Sequence, residues 1–308
     1  MAAATSRGPF VLAGEALVDV VLPVEGPQVD APGGSPLNVA VGLSRLGLDT
    51  LLVTELGDDA YGRLVRHHVE SSGVRLDEGS VVPGHRTSSA TAHLGADHAA
   101  TYDFDLSWTL GPRTLPPDAL GLHVGSIGAA LRPGRDSVLG LLGQAVDAGV
   151  FVSFDPNARP AFLPPVAQAW ADMTEVAGHA DLVKMSDEDI HALAPDRSPA
   201  EVAAQLLGNG RTRLVVVTEG GGGALAYTAG TSVQVSSESI SVTDTVGAGD
   251  SFMGALIAVT LDWGLDLDEP GLTHLLQAAH AVAAITCSRR GADPPRLDEL
   301  PPGWPARA

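Results

Sequence analysis

The chain has 308 residues, 44% of them apolar and 18% charged, which suits one large α/β domain with a sizeable core. A formal net charge of −19 without a local basic patch argues against a nucleic-acid or anionic-membrane partner. Cys287, the single cysteine, excludes an intrachain disulfide or thiolate cluster, and the absence of a leader-like or membrane-length apolar run leads us to expect a soluble, cytoplasmic protein.

The first strand is expected at Phe10–Ala13, and Glu15 to Leu22 alternates as a strand that leaves the main sheet. Ala31-Pro-Gly33-Gly34-Ser35-Pro36 then leads into a helix that is apolar on several sides, hence buried, with Ser35 as the expected N-cap and Gly47 as the stop. Such an entry carries the polar Asn38 close to a backbone turn. Ser88–Leu94 and Ala99–Asp105 read as two strands joined near Gly95-Ala96-Asp97, able to pair with the 15–22 strand as a small sheet over one end of the domain. Further on, helical runs alternate with short apolar strands: Arg135–Ala148 before Val150–Phe154, Pro165–Ala177 before Asp181–Lys184, and Pro199–Leu207 before Leu214–Thr218. Continuous apolar strands between helices predict a doubly wound, mainly parallel sheet with helices on both faces. These strands end in polar or Gly-rich sequence, Asp155-Pro-Asn157, Ser186-Asp-Glu-Asp189 and Thr218-Glu-Gly220, and open α/β sheets bind ligands at the carboxyl ends of their strands.

Asp244-Thr-Val246-Gly247-Ala248-Gly249-Asp250 runs straight into another apolar helical pattern. The first N–H groups of a helix are unpaired and its N-terminal dipole end is positive, so the glycines form an anion cradle with Asp250 beside it. Phosphoryl transfer to a hydroxyl needs that pairing: donors that take charge from the phosphoryl group and a carboxylate that accepts the proton. The simpler reading is a Gly-rich turn whose Asp caps a helix. Lys184, the sole lysine, follows Ala-Asp-Leu-Val rather than a glycine loop, which excludes a Walker-type P-loop and a protein-kinase site. Gly247-Ala-Gly249 also lacks the third glycine of a dinucleotide fingerprint.

Gly33-Gly34-Ser-Pro-Leu-Asn38 and Asp244-Thr-Val-Gly-Ala-Gly-Asp250-Ser-Phe-Met-Gly254, in this order, resemble the two signature motifs of the PfkB, or ribokinase-like, carbohydrate kinases, and the resemblance extends over nearly the whole chain. It implies a single 1–308 kinase domain with a β-sheet lid from about 15–30 and 84–108, and ATP- and Mg²⁺-dependent phosphorylation of a hydroxyl on a sugar-like substrate. It implies Asp250 as the catalytic base, with Gly247, Ala248 and Gly249 supplying anion-hole amides. Asp19, Gly33, Gly34 and Asn38 take the sugar-contact positions, joined by Arg159 at a strand end. Thr218, Gly220 and Gly223 match a nucleotide loop, and Lys184, Ser186 and Asp189 match a segment that more often reads Asn-x-x-Glu, with Asp189 holding Mg²⁺ through water. Asp244 and Val246, with 284–291, match a stretch that binds K⁺ in several members, and pairing through the lid implies a homodimer.

Gly14-Glu15-Ala-Leu-Val-Asp19 and Asp155-Pro-Asn-Ala-Arg159 look most like the bacterial fructokinases of that family, whereas the lid segment Tyr102–Trp108 departs from their pattern. The acceptor therefore stays open between fructose and 2-keto-3-deoxygluconate, ribose or a nucleoside. A carboxylated acceptor needs a cation from Arg86, Arg113 or Arg159, and a nucleoside needs stacking by Tyr102, Phe104 or Trp108. A sugar sensor on a kinase fold is the non-enzyme alternative, against which the intact Asp250 speaks.

Overall fold

The computed structural model describes residues 8–94, 100–237 and 240–305. In chain order the strands are β1 (Phe10–Ala13), β2 (Leu17–Leu22), β3 (Val29–Gly33), β4 (Thr50–Val53), β5 (Leu56–Gly57), β6 (Arg75–Leu76), β7 (Val81–Val82), β8 (Ser89–Leu94), β9 (Ala100–Asp105), β10 (Gly121–Gly125), β11 (Phe151–Asp155), β12 (Leu182–Ser186), β13 (Leu214–Thr218), β14 (Ala224–Tyr227) and β15 (Ser232–Val235). The helices are α1 (Ser35–Arg45), α2 (Ala60–Ser71), α3 (Ser126–Ala130), α4 (Gly134–Ala148), α5 (Val166–Ala177), α6 (Asp187–Leu193), α7 (Pro199–Leu207), α8 (Ala248–Trp263) and α9 (Glu269–Cys287).

Among the described residues the main sheet has nine strands in the order β15-β14-β13-β12-β11-β10-β1-β4-β6. Pairing is parallel from β6 to β13 and antiparallel beyond it. Alternate residues of one strand feed two separate cores. Phe10 and Leu12 face α1, α2, α8 and α9, while Val11 and Ala13 face α4 to α7. Both faces are thus covered, which explains why these strands read as unbroken apolar runs. The chain steps from β1 out to β4 and β6 and then returns to β10 on the other side of β1. That reversal is a topological switch point, and the crevice beyond the carboxyl ends of β1 and β10 is where such sheets bind ligands.

A smaller sheet, β3-β2-β8-β9, stands over this end of the molecule as the expected lid. β2 pairs in parallel with β8 and antiparallel with β3, and β8 pairs antiparallel with β9. The turn expected at Gly95-Ala96-Asp97 lies outside the described residues. β3 falls where the sequence suggested only a loop. It is an edge strand, where Pro32 removes no hydrogen bond that the sheet needs. No helix among the described residues is long and apolar enough to cross a membrane.

The start of α1 differs from expectation. The N-cap is Gly34, at φ +110, and no side chain caps the helix. A Cβ on Gly34 would lie 2.5 Å from the Glu15 carbonyl oxygen, so the backbone turns there because nothing larger than glycine fits. Ser35 becomes the first helical residue, and its hydroxyl is released for another partner.

Candidate active site

The carboxyl ends of β1, β10, β11, β12 and β13, the start of α8 and the underside of the lid enclose one cleft of about 670 Å³. Of the residues expected at the site, Asp19, Gly34, Asn38, Arg159, Lys184, Ser186, Asp189, Thr218, Gly220, Val246, Gly247, Gly249 and Asp250 line it. Gly33, Gly223, Asp244 and Ala248 do not, although each neighbours a residue that does or shapes the adjoining loop.

Asp250 stands in the first turn of α8 at 7% exposure. Both of its oxygens are gripped from α1: Ser35 Oγ donates to Oδ1 at 2.6 Å, and Asn38 Nδ2 donates to Oδ2 at 2.8 Å. Asn157 Nδ2 lies 3.5 Å from Oδ1. The N-termini of two helices therefore converge on one carboxylate. Gly247 caps α8 at φ +76, and a Cβ there would meet the Cβ of Ala292 at 2.6 Å. The Gly247, Gly249 and Asp250 N–H groups donate to no backbone carbonyl among the described residues, whereas the Ala248 N–H is engaged by Thr245 O at 3.2 Å. The start of α8 thus presents unpaired amides of the kind that can receive an anion, those of Gly247, Gly249 and Asp250, whereas the expected Ala248 amide is already occupied.

Lys184 adds the positive charge. A Cβ on Gly249 would come within 3.2 Å of its Nζ, so the ammonium borders the same amides. It donates to Asp155 Oδ2 at 2.8 Å in a buried ion pair. Burial opposes the Lys184 charge, but Asp155, Asp189 and Asp250 outweigh that effect and hold its pKa above the ordinary lysine range. Burial pushes Asp155 up to about 6 against the downward pull of Lys184, leaving the pair ionised at neutral pH.

Asp189 accepts the Ala158 N–H at 2.6 Å and the Ser186 N–H at 2.7 Å, while Ser186 Oγ accepts the Asp189 N–H at 3.0 Å. This capping box starts α6 and ties it to the end of β11. Both Asp189 oxygens hold main-chain amides, and the neighbouring exposed Asp187 and Glu188 also face the cleft. Thr218 and Gly220 close the far wall, and Gly223, at φ +114, turns the chain into β14. Asp244 accepts from Val246 N at 3.1 Å and Gly291 N at 2.8 Å, and those bonds, Gly291 first, hold its carboxyl below the usual range. It thereby joins the two segments expected to form a K⁺ site. Among the described residues no group of three or more His, Cys, Asp or Glu side chains is arranged to hold a metal by itself.

At the opposite end, Asp19 projects from β2 across Gly33, where a Cβ would approach its carboxylate to 2.2 Å. Asp19 remains exposed toward the cleft, and the partial burial of its carboxylate raises its pKa, although Arg159 pulls it down. Arg159 Nη1 donates to Asn157 Oδ1 at 2.6 Å, and Phe162 meets Phe104 of the lid edge-on at 4.9 Å between ring centres. Several side chains here were not singled out as site residues from sequence. Glu15 lies in the turn after β1, is 5% exposed, and accepts the Gly128 N–H at 2.7 Å. Burial pushes its pKa to about 7, partly offset by the Gly128 amide and the Ser126 hydroxyl. Ser126 (φ +51) and Asn157 (φ +35), at the ends of β10 and β11, are the two non-glycine residues with positive φ among the described ones, and both face the cleft. Backbone strain of this kind, of order 1–3 kcal/mol each, collects at functional sites. Asn after Asp-Pro was the one readable signal, since Asn tolerates this region better than most residues.

Residues 11–299 match the pfkB family carbohydrate kinases. The fructokinase of Klebsiella pneumoniae is 30% identical over 299 residues, covering 93% of this chain and 95% of that protein. The crystal structure of a fructokinase from Xylella fastidiosa with bound ATP superposes with a TM-score of 0.81 at 26% identity, covering 96% of this chain and 95% of the other. A double mutant of the Vibrio cholerae O395 fructokinase, with fructose, ADP and potassium ion bound, gives a TM-score of 0.79 at 28% identity over 92% and 94% of the two chains. Signature loops, cleft and likeness over the full length agree, and the chain belongs to the pfkB family of carbohydrate kinases, phosphotransferases that act on a sugar hydroxyl.

Proposed function

We propose that this protein is a cytoplasmic fructokinase that moves the γ-phosphoryl group of ATP to a hydroxyl of fructose. The observation that carries the reading is Asp250, held by α1 at the start of α8 inside the cleft, beside a row of unpaired amides. In that arrangement Asp250 accepts the proton of the attacking hydroxyl, and the Gly247, Gly249 and Asp250 amides with Lys184 stabilise charge on the transferring group. Asp19, Asn38 and the Gly33-Gly34 turn hold the acceptor hydroxyls, and Thr218, Gly220 and Ser186 take the nucleotide side. Mg²⁺, when bound, offsets phosphate charge, and Asp187, Glu188 and Asp189 supply hard oxygen donors of the kind it takes through water. K⁺ fits a loop in which Asp244 draws 244–246 against 291 and leaves main-chain carbonyls as donors.

The cleft also favours a neutral acceptor. Its acids include Glu15, Asp19, Asp187 and Glu188, and at the acceptor end its cation is Arg159, already bonded to Asn157. Arg86 pairs with Asp105 at 2.6 Å and Arg113 lies against Asp77 and Gly79, so neither supports a carboxylated sugar such as 2-keto-3-deoxygluconate. Of the three aromatic side chains that could stack on a nucleoside base, Trp108 is buried and donates to Gly128 O at 3.0 Å, the side chain of Tyr102 lies outside the described ones, and Phe104 lines the cleft, edge-on to Phe162. The four-stranded lid is the surface through which a homodimer would form.

ADP release with Mg-ATP and K⁺, compared across fructose, ribose, 2-keto-3-deoxygluconate, adenosine and inosine, tests the assignment. Release with fructose is the expected outcome. Release with another acceptor alone would reassign the substrate, and binding of ATP and sugar without any release would indicate a sensor.

A further inference from the structure

We infer that Ser35 is a positioning residue that holds the Asp250 carboxylate in its proton-accepting pose. The inference rests on Asp250 being the base.

Two features of the chain put the hydroxyl there. Because Gly34 takes the N-cap position of α1, Ser35 has no helix amide to cap, and its Oγ reaches Asp250 Oδ1 at 2.6 Å instead. Asn38 lies three residues further along the same helix, so both side chains project from one face and engage the two carboxylate oxygens together. The approach of the helices makes this contact short. Gly254, one turn after Asp250, packs where a Cβ would already touch the α1 backbone at 3.8 Å from Leu43 N and Val39 O. With both oxygens held, the carboxylate cannot swing about its last torsion. Without Ser35 the remaining donor to Oδ1 is Asn157, at 3.5 Å, which is outside the range of a strong bond.

The test measures kcat and both KM values, varying Mg-ATP and fructose (or the acceptor that replaces fructose in the screen) each at saturation of the other. The variants are Ser35→Ala, Ser35→Cys and Ser35→Thr. Cys keeps the volume of Ser but is a weak donor, and Thr restores the hydroxyl. The expected result for Ala and Cys is a kcat about 10-fold lower, with KM for sugar and ATP within about threefold of wild type, and Thr returns kcat toward the wild-type value. A folded Cys variant that keeps wild-type kcat overturns the inference, because the loss in Ala would then come from packing, and so does a loss that Thr fails to restore. Asp250→Asn, measured alongside, separates the two levels. If it retains turnover, the base assignment fails and the inference falls with it. If it abolishes turnover while the folded Ser35→Cys variant keeps wild-type kcat, only the inference falls.

Discussion

Glu15 closes the turn after β1 inside protein, with a single amide and a hydroxyl to replace the water it has lost. Burial therefore dominates and sets its pKa at about 7, against 4.5 for an unhindered glutamate. An acid whose folded-state pKa exceeds the unfolded value costs no stability below the unfolded pKa and its full penalty above the folded one, so stability falls as pH rises through this window. The gap of about 2.5 units amounts to ~3.4 kcal/mol in all, of which about 2.5 kcal/mol develops between pH 5 and 8. Glu15→Gln keeps the shape of the side chain and an oxygen for the Gly128 amide, but removes the charge. Any change in packing introduced by the new amide displaces the melting temperature equally at every pH. The titrating part does not. With about 2.1 cal/mol/K of unfolding entropy per residue over 308 residues, the difference in melting temperature between Glu15→Gln and wild type should widen by about 4 °C from pH 5 to 8, in favour of the variant. Thermal unfolding followed by circular dichroism at four pH values, without nucleotide or sugar, reads this directly. A difference that stays constant within about 1 °C would show that Glu15 does not change charge in this range, and would refute the argument from burial.

Two further substitutions test the geometry of the cleft. Asn38→Ala should raise the KM for the sugar about 10-fold or more while the affinity for ATP, measured by calorimetry, changes less than about threefold; the opposite split would mean that the acceptor pocket has been put at the wrong end of the cleft. Gly34→Ala forces a Cβ to within 2.5 Å of the Glu15 carbonyl at φ +110, and should cost about 3 kcal/mol or more of stability together with most of the activity. A variant melting within about 1 °C of wild type would mean that this turn is not constrained as described.

The elements that could be read from sequence are those whose signal is local. The strand Leu214–Thr218 and the helix Pro199–Leu207 run as expected, and Arg135–Ala148 gains only Gly134, because apolar period and capping chemistry lie within one segment. The turn into α8 was legible for the same reason: Gly247, Gly249 and Asp250 are neighbours, and a helix start needs no distant partner. What sequence could not supply were contacts that exist only after the switch point of the sheet has formed. Glu15 meets Gly128 across 113 residues, and Ser35 meets Asp250 across 215. Ser35 shows why. Local rules assign a serine before a helical proline to the N-cap, and that rule failed because Gly34 had to pass beside the Glu15 carbonyl. The close approach fixed the cap, the cap released the hydroxyl, and the hydroxyl reached the carboxylate of the other helix. A misplaced cap by one residue is ordinarily a boundary error; here the displacement converts a residue expected to stabilise a helix into one that bonds the Asp250 carboxylate. In a fold of this kind, local rules fail where backbone is forced into close contact, and the same forced contacts at the ends of β1, β10 and β11 bring Glu15, Ser126 and Asn157 to the cleft.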